Sequence, residues 1–209
     1  MSNAAPLAEA PPPLTPAALA TRAAIVDTAE RLFRTLGYQK TTVADIAREL
    51  RMSPANIYRF FASKGAINEA IAERLLDQIL AGIRAVTDSA ASPPDRLRAL
   101  FGLLQEQTMA LFFDERRMHD MVRVAMDEHW GVIERYKDGV DQAILKIIRD
   151  GTEAGVFGGL PPERAMRMVH AACVVFGHPT LVEQCQHTHD LRAQAQEMAE
   201  FCLRALRPD

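Results

Sequence analysis

Two stretches, Thr41-Thr42-Val43-Ala44-Asp45-Ile46-Ala47 and Ser53-Pro54-Ala55-Asn56-Ile57-Tyr58-Arg59-Phe60-Phe61-Ala62-Ser63-Lys64, carry the pattern on which the reading of this chain turns. Thr41 and Thr42 can cap a short helix whose apolar positions Val43, Ile46, Ala47 and Leu50 share one face. Arg51 and Met52 make a brief turn. Ser53 then caps, and Pro54 opens, a third short helix through Ile57 to Phe61. Two short helices joined by a tight turn form a helix-turn-helix pattern, with Ile46, Ala47, Leu50, Ile57 and Phe61 as the small core that locks them.

Helical spacing continues on both sides. Upstream, Thr15-Pro16 is a cap and first-turn proline, and Leu19, Ala23, Val26, Ala29, Leu32 and Phe33 recur at helical intervals until Gly37. Residues 1–14, with Pro6, Pro11, Pro12 and Pro13 among alanines, are expected to be a disordered or extended arm. Downstream, Ser63 caps a long fourth helix carrying Ile67, Ile71, Leu75, Ile79 and Ile83 or Val86, which ends at the Ser89 to Pro94 linker. Leu97, Leu100, Phe101, Leu104, Thr108 and Leu111 mark a fifth helix. Further helices are expected over Met118 to Asp127, Trp130 to Ala154, Pro162 to Cys185 and His189 to Leu206. The expectation is an all-α chain of about nine helices with no strand, divided as an arm (1–14), a helix-turn-helix unit (15–65) and a second helical unit (66–209).

Composition agrees with a globular protein. The chain has 209 residues, is 48% hydrophobic and 24% charged, and holds no apolar run of the roughly 18 to 20 residues that a membrane helix needs. Three cysteines and no secretory leader lead to the expectation of a reducing, cytoplasmic setting without a disulfide framework. The net charge is −3, but it is unevenly spread: residues 1–66 carry eight Lys/Arg against five Asp/Glu, and the remainder is acidic. A basic head on an acidic body suits a protein with one end on phosphates.

The quoted stretches, preceded by Ala29-Glu30-Arg31-Leu32-Phe33 and Gly37-Tyr38, resemble the tetracycline-repressor (TetR) family of bacterial transcription regulators over roughly residues 22 to 70. Phe60 and Gly65 stand where the family commonly has a His or Tyr and an acidic residue, so no polar contact is expected of Phe60. The resemblance implies a DNA-binding head, Thr42 and Ala44 at the entry to the second helix where they hold the DNA backbone, and a body that binds a small molecule and dimerises. Physical chemistry fills in the recognition helix. Pro54 and Ala55 are short enough for close approach and reach at most a thymine methyl, whereas Asn56 can bond both edges of an adenine. Tyr58 and Lys64 are the expected phosphate grips. Arg59 either reaches a phosphate or covers apolar surface with its stem. The plainer alternatives are a packing Tyr58, a solvated Lys64 and an Asn56 bonded only to water.

A single head makes few contacts, so a homodimer on a palindromic operator is expected. The apolar stripes of the last two helices are the expected joint: Met166, Val169, Cys173, Val174, Phe176 and Leu181 on one, Leu191, Ala195, Met198, Cys202 and Leu206 on the other. In the resembling family such helices pair as a four-helix bundle; the alternative is that they pack within the monomer. The middle helices are rich in methionine (Met109, Met118, Met121, Met126) near Phe112, Phe113, Trp130 and Tyr136, which suits an adaptable pocket as well as it suits plain core. Phe101, Leu104, Thr108, Met121, Met126, Trp130, Tyr136, His170 and Cys173 are the expected lining, with Tyr136 and His170 as polar anchors for a small apolar or amphipathic effector that would lower operator affinity. Cys173, His178, Cys185, His187, His189 and Cys202 lack the spacing of a metal site, and no cofactor or catalytic motif is present. The function expected is a ligand-responsive repressor. A helical small-molecule-binding protein without a DNA role is the alternative, and a catalytic helical bundle the third reading.

Overall fold

The computed structural model of the chain describes residues 15–112, 131–178, 181–182 and 190–208. Among them are eight helices and no strand: α1 (Pro16–Leu36), α2 (Val43–Glu49), α3 (Pro54–Tyr58), α4 (Lys64–Thr87), α5 (Pro93–Phe112), α6 (Gly131–Glu153), α7 (Pro162–Gly177) and α8 (Leu191–Ala205). The expected all-α class is the one found. The helix expected over Met118 to Asp127 and the expected arm lie outside the described residues.

Caps read from the sequence start the first four helices. The hydroxyls of Thr15, Thr42, Ser53 and Ser63 each accept a backbone N–H three residues on, relieving one of the donors a helix start leaves unpaired. At Thr42 the cap is reciprocal, because the Asp45 carboxylate accepts the Thr42 backbone N–H at 2.9 Å. Gly37, at φ 93°, ends α1 by donating its N–H to the Phe33 carbonyl. α3 is shorter than expected and stops at Tyr58 instead of reaching Phe61. Arg59 and Phe60 form a turn that swings Phe61 back into the core, where it is almost fully buried.

Two apolar clusters organise the molecule, and α4 belongs to both. Its first half supplies Ile67, Ile71 and Leu75 to a head core built around Ile25, Phe33, Ile46 and Ile57. Its second half supplies Ile79, Leu80 and Ile83 to a larger body core with Leu97, Phe101, Ile144, Ile147, Phe176 and Ala199. The head core thus continues beyond the expected boundary at 65. Arg96 braces the body from within: its side chain is 7% exposed and donates at 2.7 Å to both the Thr87 carbonyl and the Asp150 carboxylate, so the end of α4, the start of α5 and the end of α6 share one charge-assisted joint.

The segment expected as one helix from Pro162 to Cys185 breaks at Gly177. His178 is extended, at φ −100° and ψ 117°. The residue after it is Pro179, whose ring clashes with a helical backbone at the preceding position. α7 packs antiparallel to α6 in a register marked by the ion pair of Arg149 with Glu163 at 2.8 Å and by the hydrogen bond between the His170 ring and the Asp141 carboxylate.

Candidate nucleic-acid interface and effector cavity

The front of the head is the N-terminal side of α3. Ile57 is completely buried and anchors the helix, while Pro54, Ala55 and Arg59 are exposed, Asn56 is half-buried and Tyr58 is 52% exposed. Five residues make barely more than one turn, too little to be helical alone, so α3 is held by its Ser53 cap and by Ile57 in the core. The Asn56 carboxamide makes no hydrogen bond among the described residues. The polar ends of Tyr58 and Arg59 likewise have no partner among the described residues.

Lys64 is placed differently from a free phosphate grip. Its ammonium donates to the Tyr38 carbonyl at 3.0 Å and the Thr41 carbonyl at 3.1 Å, and lies 4.3 Å from the centre of the Tyr38 ring. It ties the start of α4 to the loop between α1 and α2, with one of its three donors left over. Thr42 is exposed, but its hydroxyl both accepts the Asp45 N–H and donates to the Asp45 carboxylate at 2.7 Å. These bonds, with Arg48 at 2.6 Å, hold the Asp45 carboxyl at a pKa of about 2. Ala44, one residue inside α2, is exposed.

The body contains a cavity of about 270 Å³ between α4, α5, α6 and α7. Of the expected lining, Leu104, Thr108, Tyr136, His170 and Cys173 face it. Phe101 does not: it is fully buried beside Phe176, edge-to-face at 6.1 Å, where it supports the wall. Met121, Met126 and Trp130 lie outside the described residues. Sequence reasoning missed Leu76 and Ile79 of α4, Ile133, Lys137 and Val140 of α6, and Val174, Gly177 and His178 of α7. The α6 set recurs at helical spacing with Tyr136, a signal that was there to be used; His178 was hidden by the unforeseen break at Gly177.

The polar groups at the cavity are mostly quenched. His170 is paired with Asp141, and Lys137 turns its ammonium outward to Glu134 at 3.0 Å. Burial raises the Tyr136 phenol to about 12 and pushes the Cys173 thiol far up, so both stay protonated. Burial lowers the pKa of His178, whose Nδ1 is enclosed without a hydrogen-bond partner among the described residues.

Comparison with known proteins decides the assignment. Residues 25–71 match the model of bacterial regulatory proteins of the tetR family, and residues 93–198 match that of the tetracyclin repressor-like C-terminal domain. The chain belongs to the tetracycline-repressor family. The HTH-type transcriptional repressor KstR2 of Mycobacterium tuberculosis is 28% identical over 144 residues, covering 65% of this chain and 68% of the relative. A TetR-family regulator from Pectobacterium atrosepticum superposes with a TM-score of 0.72 at 19% identity over 94% of this chain and 99% of its own. SmeT, the repressor of the Stenotrophomonas maltophilia efflux pump SmeDEF, gives 0.65 at 20% identity over 90% and 91%. At these identities the structural likeness is one of fold.

As a member of this family the chain is a DNA-binding transcription regulator. Its last two helices correct one expectation. Val169, Cys173 and Phe176 of α7 and Ala195, Cys202 and Leu206 at α8 are buried in the body core, and Leu191 is buried as well, because each helix must first cover its own monomer's interior. The apolar groups left outward are others: Met168 on α7, 57% exposed, and Phe201 on α8, 61% exposed. Leu181 is half-buried next to the fully buried Val182. No described helix is long and apolar enough to cross a membrane.

Proposed function

We propose that this regulator is a homodimeric repressor that places α3 of each protomer in the major groove of a palindromic operator and leaves it when a small apolar or amphipathic effector enters the body cavity. The carrying observation is the face of α3, which offers Pro54, Ala55 and an unbonded Asn56 to the outside while Ile57 fixes the helix from behind. Asn56 reads a base, Pro54 and Ala55 permit close approach, and Tyr58 and Arg59 meet phosphates. Thr42 and Ala44 present the start of α2 to the backbone. Lys64 acts first as the brace of the head and offers its remaining donor to a phosphate. The relative KstR2 carries the name of a repressor, which supports the same sign of control here.

The dimer joins through the outward faces of α7 and α8, around Met168 and Phe201. The cavity lies on α4 through Leu76 and Ile79, and the same helix is tied to α1 by Arg74, which bonds Asp27 and Glu30. An effector that displaces α4 therefore moves the head as a unit, and its differential affinity for the two arrangements sets the loss of DNA affinity. Footprinting on the DNA upstream of the regulator's own reading frame tests the proposal. Expected is a protected palindrome with half-sites about 34–36 Å apart or a multiple of it; absence of specific protection there and in adjacent intergenic DNA overturns it.

A further inference from the structure

The chemistry of the cavity wall narrows the effector beyond its size. The hydrogen bond between His170 and Asp141 and the ion pair between Arg149 and Glu163 mark the register of α6 against α7. Counting eight residues from the first pair in each helix, about 12 Å at 1.5 Å per residue, brings Ile133 level with His178. Tyr136, five residues from Asp141, then lies level with Val175, beside Val174 and within a turn of Cys173. The Tyr136 hydroxyl and that of Thr108 on α5, itself only 5% exposed, have no hydrogen-bond partner among the described residues. Most of the remaining described lining, including Leu76, Ile79, Leu104 and Val140, is aliphatic, and Lys137, His170 and His178 are its titratable nitrogens.

Charge is the deciding absence among these residues. No described Asp or Glu lines the cavity. Of its three titratable nitrogen groups, Lys137 is turned to Glu134 on the outside, His170 is bonded to Asp141, and His178, whose Nδ1 has no partner among the described residues, is pushed toward its neutral form by burial. A carboxylate or ammonium placed there gives up its hydration without gaining a counter-charge, which is costly in an apolar site. A neutral oxygen meets two waiting hydroxyls, each able to donate or accept.

We propose that the effector is an uncharged, mainly apolar molecule with a hydroxyl or carbonyl oxygen that bonds to the Tyr136 and Thr108 hydroxyls, and that acids and amines of the same skeleton are rejected. The inference rests on the reading of the cavity as the effector site. It is tested by calorimetric titration of the full-length regulator at neutral pH with methyl octyl ketone, decanol, decanoate and decylamine. The ketone and the alcohol are expected to bind at least about tenfold more tightly than the two ions. Tyr136→Phe and Thr108→Val, which keep shape and remove the hydroxyls, are expected to reduce that advantage by roughly tenfold together while leaving the unliganded melting temperature nearly unchanged. Tighter binding of decanoate or decylamine overturns the uncharged assignment and leaves the cavity as a binding site. Ketone and alcohol affinities indifferent to both substitutions overturn the role of the hydroxyls. Binding by none of the four overturns the inference and the effector reading of the cavity together, without touching the DNA-binding result from footprinting.

Discussion

Asn56 and His178 show how much one side chain can decide. Asn56 is half-exposed at the tip of α3 with its carboxamide unbonded, so Asn56→Ala is expected to relax preference at particular bases by about 1–3 kcal/mol and not to weaken every sequence equally. A binding titration across operator variants checks this; uniform loss would assign Asn56 a positioning role only. Arg59→Ala, by contrast, is expected to weaken all sequences and to lower the slope of log affinity against log salt by about one. At His178 the sign of a pH effect follows from burial. Its pKa is lowered in the folded chain, so below the ordinary histidine value of about 6.5 the unfolded chain takes up a proton that the folded one resists. Stability contributed by a neutral His178 is present above that range and falls as pH drops through it. Melting curves between neutral and mildly acidic pH are expected to decline less steeply for His178→Gln than for the parent.

At the scale of elements, close packing is most exacting where α6 meets its neighbours. A Cβ on Gly139 would lie 2.6 Å from Leu80 on α4, and one on Gly151 would lie 2.0 Å from the Phe157 ring. Gly151→Ala is therefore expected to destabilise by about 1–3 kcal/mol through overpacking, despite alanine's better helix propensity; chemical denaturation measures it, and an unchanged midpoint would mean that Phe157 rotates away freely. α3 illustrates the opposite case, an element too short to stand by itself. Its Ser53 cap, lost in Ser53→Ala, is worth about 1 kcal/mol, and the expected consequence is a weaker operator complex with an intact body.

For the whole molecule the arrangement of two cores along α4 makes one helix answerable to both ends. Arg74 holds the head end to α1 and Leu76 and Ile79 face the cavity within the next turns. The outward Met168 and Phe201 belong to this scale too, since a two-fold joint through α7 and α8, as proposed, would cover them with their twins. Phe201→Glu is expected to convert dimer to monomer in light scattering and to reduce operator affinity by about two orders of magnitude or more, as one head loses its twin. A stable dimer in that variant would move the joint elsewhere.

The helix starts, the helix-turn-helix and the family were legible in the linear chain, because caps, proline at the first turn and the spacing of Ile46, Ala47, Ile57 and Phe61 are local signals. Sides and partners were not. Periodicity says that α7 and α8 each have an apolar stripe, but only packing shows that Cys173, Ala195 and Cys202 turn inward and leave Met168 and Phe201 outside. That Lys64 also braces the head was hidden in the same way, since the Tyr38 and Thr41 carbonyls that accept from its ammonium lie far from it along the chain. The lack of free charge among the described lining residues was equally hidden, since it comes from the bond between Asp141 and His170 across two helices, from the outward turn of Lys137 and from burial, all of which exist only after the chain has folded.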